Sequence, residues 1–290
     1  MTHRLGSWTP PDDAATVLAL RGVHAGYPGA PGVLDCVSLT IGTGRRIAIL
    51  GANGSGKTTL LRVLSGAHEP AEGAVVSGGE VLRHTRRGLT AHRQRVQLVM
   101  QDPDDQLFSA DVRSDIAYGP TNLGLPAEEI ADRVDEALAV LSLEAIADRP
   151  VHRLSFGQRK RVAVAGALAM HPRVLLLDEP TAGLDPAGVE EMLAAVAALE
   201  AHGTTVVLST HDVDLAWRWA DEVALVVDHL VHQGGVTDAL TDVDLVEAAR
   251  LRPPWSVQLL REMGIEPAAA GWPRTPGEVA GCLTRLEISG

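Results

Sequence analysis

The nine residues from Gly51 to Thr59 read GANGSGKTT and fit the spacing G-x-x-x-x-G-K-[ST], which wraps a chain around phosphates. Gly51, Gly54 and Gly56 let the backbone curl without a Cβ in the way, so that its amides, those of Ala52, Asn53 and Ser55 included, converge on an anion. Lys57 supplies a point charge for β- and γ-phosphates, the Thr58 hydroxyl is a natural Mg²⁺ ligand, and Thr59 continues into a helix. Lysine is scarce here: of 25 basic residues only Lys57 and Lys160 are lysines. A chain that otherwise uses arginine keeps a slender ammonium where one must reach into a loop. The expectation is a nucleoside triphosphate with Mg²⁺ on this loop.

A second group is VLLLDEP, which puts Asp178 and Glu179 at the end of an apolar run. Ligands of open parallel sheets bind at the C-terminal ends of strands. Asp178 is therefore expected to hold Mg²⁺, directly or through water. Glu179, one residue on, is expected to orient or deprotonate an attacking water. A third is LSFGQ, from Leu154 to Gln158, ahead of the helical run RKRVAVAGALAMH. Ser155 is a good N-cap and Gly157 permits close approach, so this is a second helix start suited to an anion.

These residues need elements to hold them. Ile47 to Leu50 reads as a buried strand feeding the loop, and TLLRVLSGA behind it has helical spacing. Short β-type runs (VLALRGV, VSLTI, RRIAIL) precede the loop, and VQLVM follows before Gln101. Residues of about 102–155 change character and read as a mostly helical insertion, with a start signal at Pro126. Strand and helix then alternate through VLLLD, VEEMLAAVAALEA and TTVVLST, and ALVV with LVHQGG reads as a hairpin. Strands separated by helices imply a largely parallel sheet covered on both faces, an α/β fold. The expected division is a lead-in over 1–16, a main α/β domain over 17–240, and a helical extension over 241–290 with a Pro/Gly-rich stretch.

Composition narrows the partners. At 290 residues the chain suits one large α/β domain with a small appendage. A net charge of −12 argues against a nucleic-acid surface, and the clusters Arg86–Arg87 and Arg159–Lys160–Arg161 read as solvated faces. Cys36 and Cys282 lie far apart, with neither disulfide nor zinc spacing. Among the eleven histidines, His229 and His232 are the closest pair, and a surface hairpin explains them. No apolar run approaches the roughly 20 residues of a membrane span, and MTHRLGSWTPPDD lacks a signal-peptide core. The chain is expected on the cytosolic side.

The order of phosphate loop, Gln101, LSFGQ, VLLLDEP, AGLD (182–185) and STHD (209–212) resembles the ATPase subunit of ATP-binding-cassette (ABC) transporters over roughly residues 17–240. That resemblance implies a P-loop NTPase core with a helical insertion. It also implies roles for further residues. Tyr27 sits where the family stacks a ring on adenine. Gln101 matches the glutamine that touches Mg²⁺ and the lytic water. His211 matches the γ-phosphate histidine, and Asp185 the residue that reaches across a dimer. Ser155 and Gly157, with Gln158 beside them, match the motif that binds ATP held on the opposite protomer, so two chains would sandwich two ATPs.

The usual family signature is LSGGQ, from which Phe156 departs. LSFGQRKRVAVAGALAM, QDPDDQLF, THDVDLAWRWADEV and the tail RPPWSVQLLREMG look like the cobalt/nickel branch of energy-coupling-factor-type importers. The implied partners are a second ATPase protomer, a membrane coupling subunit and a substrate-binding membrane subunit, with the chain peripheral on the cytoplasmic face of the membrane. A vitamin-importing module of the same type shares much of QDPDDQLF. A non-transport ABC protein would carry a long coiled-coil insertion or tandem ATPase domains, which the sequence lacks. Cargo, and identity of the two protomers, stay open.

Overall fold

The computed structural model describes residues 16–265 and 271–289, with side chains to residue 284. Most of the expected lead-in and part of the Pro/Gly-rich stretch therefore lie outside the described residues. β1 (Thr16–Tyr27) and β2 (Ala30–Gly42) form a hairpin, and β3 (Ile47–Leu50) runs through the glycine-rich loop into α1 (Lys57–Leu64). β4 (Glu72–Ser77) and β5 (Glu80–Val81) return beside β1, and α2 (Arg86–Arg95) leads into β6 (Val96–Val99). Then come α3 (Val112–Asn122), α4 (Ala127–Val140) and α5 (Phe156–Leu168). β7 (Val174–Asp178), α6 (Pro186–Ala201), β8 (Thr205–Thr210), α7 (Val213–Trp219) and β9 (Glu222–Val227) alternate, and β10 (Leu230–Gly235) folds back on β9. The chain continues through α8 (Val236–Thr241), α9 (Val243–Ala248), α10 (Trp255–Glu262) and α11 (Pro276–Ser289).

The central sheet has the order β10-β9-β3-β8-β7-β6, parallel except for β10. Its inner strands are apolar throughout because both faces are covered. In β3, Ile47 and Ile49 enter one core while Ala48 and Leu50 enter the other. β7 repeats this, with Val174 and Leu176 on the first side and Leu175 and Leu177 on the second. A side-chain period of two sends alternate residues to opposite faces.

Both faces are covered as expected, but one of them not by helices alone. Instead β2-β1-β4-β5 form a separate antiparallel sheet that, with α1, closes one core. The β1 residues Leu18, Leu20, Val23 and Ala25 are fully or nearly fully buried there, which strand-to-strand pairing alone would not achieve. Pro126 does stand at the N-cap of α4, but it provides no side-chain hydrogen bond, since proline has no oxygen to offer.

The segment after α8 shares the main core. Trp217 of α7 is fully buried and donates from Nε1 to the Pro273 carbonyl at 3.1 Å, where Ser256 Oγ also donates at 2.7 Å. Arg274 lies 5.3 Å from the Trp217 ring centroid and donates to the Ala220 carbonyl. Asp214 accepts from the backbone N–H of Trp255 at 2.8 Å.

Candidate functional site: a phosphate loop facing two strand-end carboxylates

The site lies along one edge of the central sheet. Parallel registration aligns Leu50 with Thr210 and Asp178 with Ser209, so the loop after β3 and the ends of β7 and β8 meet there. β6 ends beside β7, delivering Gln101 to the same edge.

Gly56 caps α1 with φ 109°, a left-handed conformation that only glycine adopts freely. At Gly51 a Cβ would stand 2.6 Å from Ser55 Oγ and 3.0 Å from the Val226 carbonyl, so the loop closes only around glycine. Lys57 is buried at 6 % exposure and donates to the carbonyls of Gly51 and Ala52 at 2.8 and 3.3 Å. Its Nζ is also 3.5 Å from Glu179 Oε1. Ser55 Oγ is buried with no hydrogen-bond partner. A buried hydroxyl without a partner costs about 1–3 kcal/mol, and a phosphate oxygen would satisfy it.

Thr58 Oγ1 donates to Asp178 Oδ2 at 2.8 Å, bridging α1 and β7. Ser209 Oγ donates to the other oxygen of Asp178 at 2.5 Å. Thr58 and Asp178 are hard oxygen donors side by side, which suits Mg²⁺, an ion that takes few protein ligands when phosphates supply the others. A cleft of about 340 Å³ is lined by Thr58, Gln101, Asp178, Phe156 and Gly183, so the three candidate metal residues share one space. A larger hollow, about 650 Å³, lies between the β4–β5 hairpin and α2 and holds none of the candidate residues. Chemistry rather than size selects the cleft.

Glu179 is 6 % exposed, and both carboxylate oxygens face His211 Nδ1, at 3.0 and 3.1 Å. An ionised carboxylate only accepts, so Nδ1 carries the proton. The Glu179 backbone is left-handed at φ 46°, a strain of about 1–3 kcal/mol for a residue with a Cβ. Its N–H donates to Ser209 Oγ at 3.1 Å and to the Ser209 carbonyl at 3.2 Å. The carbonyls of Glu179 and Pro180 accept from Lys160 Nζ at 2.8 and 3.2 Å.

Other candidates sit apart from this cluster. Ser155 and Gln158 form a reciprocal cap on α5: Ser155 Oγ accepts from the Gln158 N–H, and Gln158 Oε1 accepts from the Ser155 N–H. A Cβ at Gly157 would stand 3.4 Å from Leu184 Cδ2. Asp185 caps α6, accepting from Gly188 N–H at 2.7 Å. Tyr27, at the end of β1, flanks the first turns of α1, its hydroxyl accepting from Thr59 and Arg62 at 3.4 and 3.5 Å.

Reading Arg159–Lys160–Arg161 as a solvated face is wrong. Lys160 is buried at 4 % exposure, and Arg159 and Arg161 are turned into ion pairs with Asp104 and Glu191. Burial pushes the Lys160 ammonium down to about 8, against the pull of the Glu179, Asp102 and Asp178 charges. The scarcity of lysine was the signal that could have found it. Ser209 was also missed: it opens STHD, a motif in which only His211 was given a role. His229 and His232 do lie on the β9–β10 hairpin, and both cysteines are free.

Comparison with known proteins meets this geometry from outside. The family model described as ABC transporter matches residues 34–182. A provisionally named ABC transporter ATP-binding protein of Streptomyces coelicolor is 52 % identical over 274 residues, 93 % of this chain and 96 % of that protein. The cobalt import ATP-binding protein CbiO of Rhodobacter capsulatus is 49 % identical over 244 residues, 84 % of this chain and 87 % of that one. Among solved structures, CbiO1 of Clostridium perfringens, described as part of the ABC transporter complex CbiONQ, aligns with a TM-score of 0.73 and 37 % identity, covering 85 % of this chain and 99 % of that one. With the phosphate loop, the strand-end carboxylates and the matched sequence in agreement, the chain belongs to the ABC transporter family, as an ATP-binding and ATP-hydrolysing subunit.

Proposed function

We propose that the chain is the ATPase motor of an energy-coupling-factor-type importer for cobalt or nickel ions. It works as a dimer, most simply of identical chains, peripheral on the cytoplasmic face of the cell membrane. The observation that carries this reading is the meeting of Lys57, Asp178, Glu179 and His211 at one sheet edge. The relative named for cobalt import supports the cargo.

The loop amides and Lys57 cradle the β- and γ-phosphates, and Tyr27 stacks on the adenine. Thr58 and Asp178, with Gln101 beside them, would hold Mg²⁺, which would supply positive charge to the phosphate oxygens. Glu179 takes a proton from water as the water oxygen bonds to the γ-phosphorus. The bond from that phosphorus to the β–γ bridging oxygen breaks, and its electron pair leaves with ADP. His211 donates from Nδ1 to the Glu179 carboxylate and steadies it beside the γ-phosphate. Ser155, Gly157 and Gln158 complete the site of the opposite protomer, and Asp185 reaches across. Closure on ATP and opening after hydrolysis then drive the membrane partners.

The helical insertion suits the coupling contact. Phe108 and Tyr118 form an edge-to-face pair with centroids 4.5 Å apart, yet they are 65 % and 50 % exposed. They follow Gln101 closely in the chain. Among the described residues no helix is long and apolar enough to cross a membrane, so transport needs partner subunits that do.

The test is reconstitution in vesicles with candidate membrane coupling and substrate-binding subunits, measuring ATP-driven uptake of labelled Co²⁺, Ni²⁺ and vitamins. Uptake of either ion, lost in Glu179→Gln, is expected. Uptake of a vitamin alone would move the chain to the vitamin-importing branch, and hydrolysis with no uptake would remove the importer reading.

A further inference from the structure

The reaction described above leaves the chain's second lysine without a role. Lys160 lies in the first turns of α5, two residues beyond Gln158, with its ammonium under the end of β7. It donates to two successive carbonyls, those of Glu179 and Pro180. In extended chain, successive carbonyls point to opposite sides, so one ammonium can hold both only if the backbone turns between them. That turn falls at Pro180, directly after the left-handed Glu179. The contact is roofed by Phe156, whose ring centroid is 5.4 Å from Nζ. The same ring closes on the neighbouring loop, for a Cβ at Gly183 would come within 3.1 Å of Phe156 Cε1.

We propose that Lys160 is a positioning residue for the catalytic carboxylate. Its ammonium pins the Glu179–Pro180 turn, which holds the Glu179 side chain between Lys57 and His211. Because Lys160 rides on the helix that begins at Ser155, it also ties the turn serving one nucleotide to the motif offered to the other. Phe156 shields the contact from water, which gives the departure from LSGGQ a local purpose. The proposal rests on Glu179 being the base.

The experiment compares the full chain with Lys160→Met, which keeps length and loses the donors, and Lys160→Gln, which keeps donors for one carbonyl. ATP affinity, kcat and Tm are measured for each, and again in a Glu179→Gln background. A displaced reacting group costs about 10²-fold in rate when misplaced by an ångström. Lys160→Met is therefore expected to lower kcat by roughly 10- to 100-fold with ATP affinity within about threefold, and Lys160→Gln to fall between it and the parent. In the Glu179→Gln background, Lys160→Met is expected to add no further loss. A kcat within about threefold of the parent, or an undiminished loss in that background, overturns the proposal. So does a parallel fall of affinity, kcat and Tm, the mark of a purely structural lysine. Should Lys160→Met not fold, the same criteria apply to Lys160→Gln. Near-normal hydrolysis by Glu179→Gln alone would instead remove the reading of Glu179 as base.

Discussion

Ser209 Oγ joins the two carboxylate residues of the site: it donates to Asp178 Oδ1 at 2.5 Å and accepts from the Glu179 N–H at 3.1 Å. Fully buried on β8, it holds one oxygen of Asp178 so that the other faces Thr58. Ser209→Ala is expected to weaken Mg²⁺-dependent activation about 10-fold while nucleotide without metal binds as before, since a hydrogen bond to a charged group contributes about 1.5–3 kcal/mol. An unchanged Mg²⁺ titration would show that Asp178 holds its place unaided.

Lys57→Ala is expected to weaken ATP binding by about 10- to 100-fold, the equivalent of one lost charge-assisted contact. The Gly51 and Ala52 carbonyls lose their shared donor as well, so the loop itself loosens. Calorimetric titration checks it, and an affinity within about threefold of the parent would contradict the assignment.

Glu179→Gln keeps side-chain size and leaves the Thr58–Asp178 contact untouched. ATP should bind, hydrolysis should drop by ~10²–10⁴, and the ATP-bound dimer should persist because a negative charge facing the γ-phosphate is gone. Size-exclusion chromatography with Mg-ATP beside a turnover assay reads both. Failure to bind ATP would mean that Glu179 serves structure.

His92 predicts a pH dependence of stability. It is buried against α1, where Nε2 donates to the Leu64 carbonyl at 2.8 Å. Burial first, then the charges of His84, Arg95 and Arg93, hold it below its ordinary 6.5, and the Leu64 contact pulls the other way. The unfolded chain therefore takes the proton at a higher pH than the folded one. Stability from this residue is full above about 6.5 and is lost as pH falls toward the folded value. His92→Gln should flatten the fall of Tm between about pH 7 and 5, and an unchanged slope would place the acid sensitivity elsewhere.

The phosphate loop and the pair Asp178–Glu179 were legible because their chemistry fixes both residue type and spacing. The central sheet was legible because two-faced burial leaves unbroken apolar runs such as Val174–Leu177. The separate antiparallel sheet was not, since the alternation in β1 records which side is buried but not which element covers it. Lys160 and Ser209 escaped for a related reason. Their partners are 19 or 20 and 30 or 31 residues away in the chain, and both bond mainly through backbone or one short hydroxyl contact.

The stitching of Trp217 to Pro273 and Arg274 bears on how this protein can be divided. A chain ended at Thr241 would keep every motif that touches nucleotide, yet it would strip the lid from an indole with no exposure at all. The bared ring sits on the helix that begins two residues after His211. Shortening the protein to its recognisable cassette would thus undermine His211 from behind.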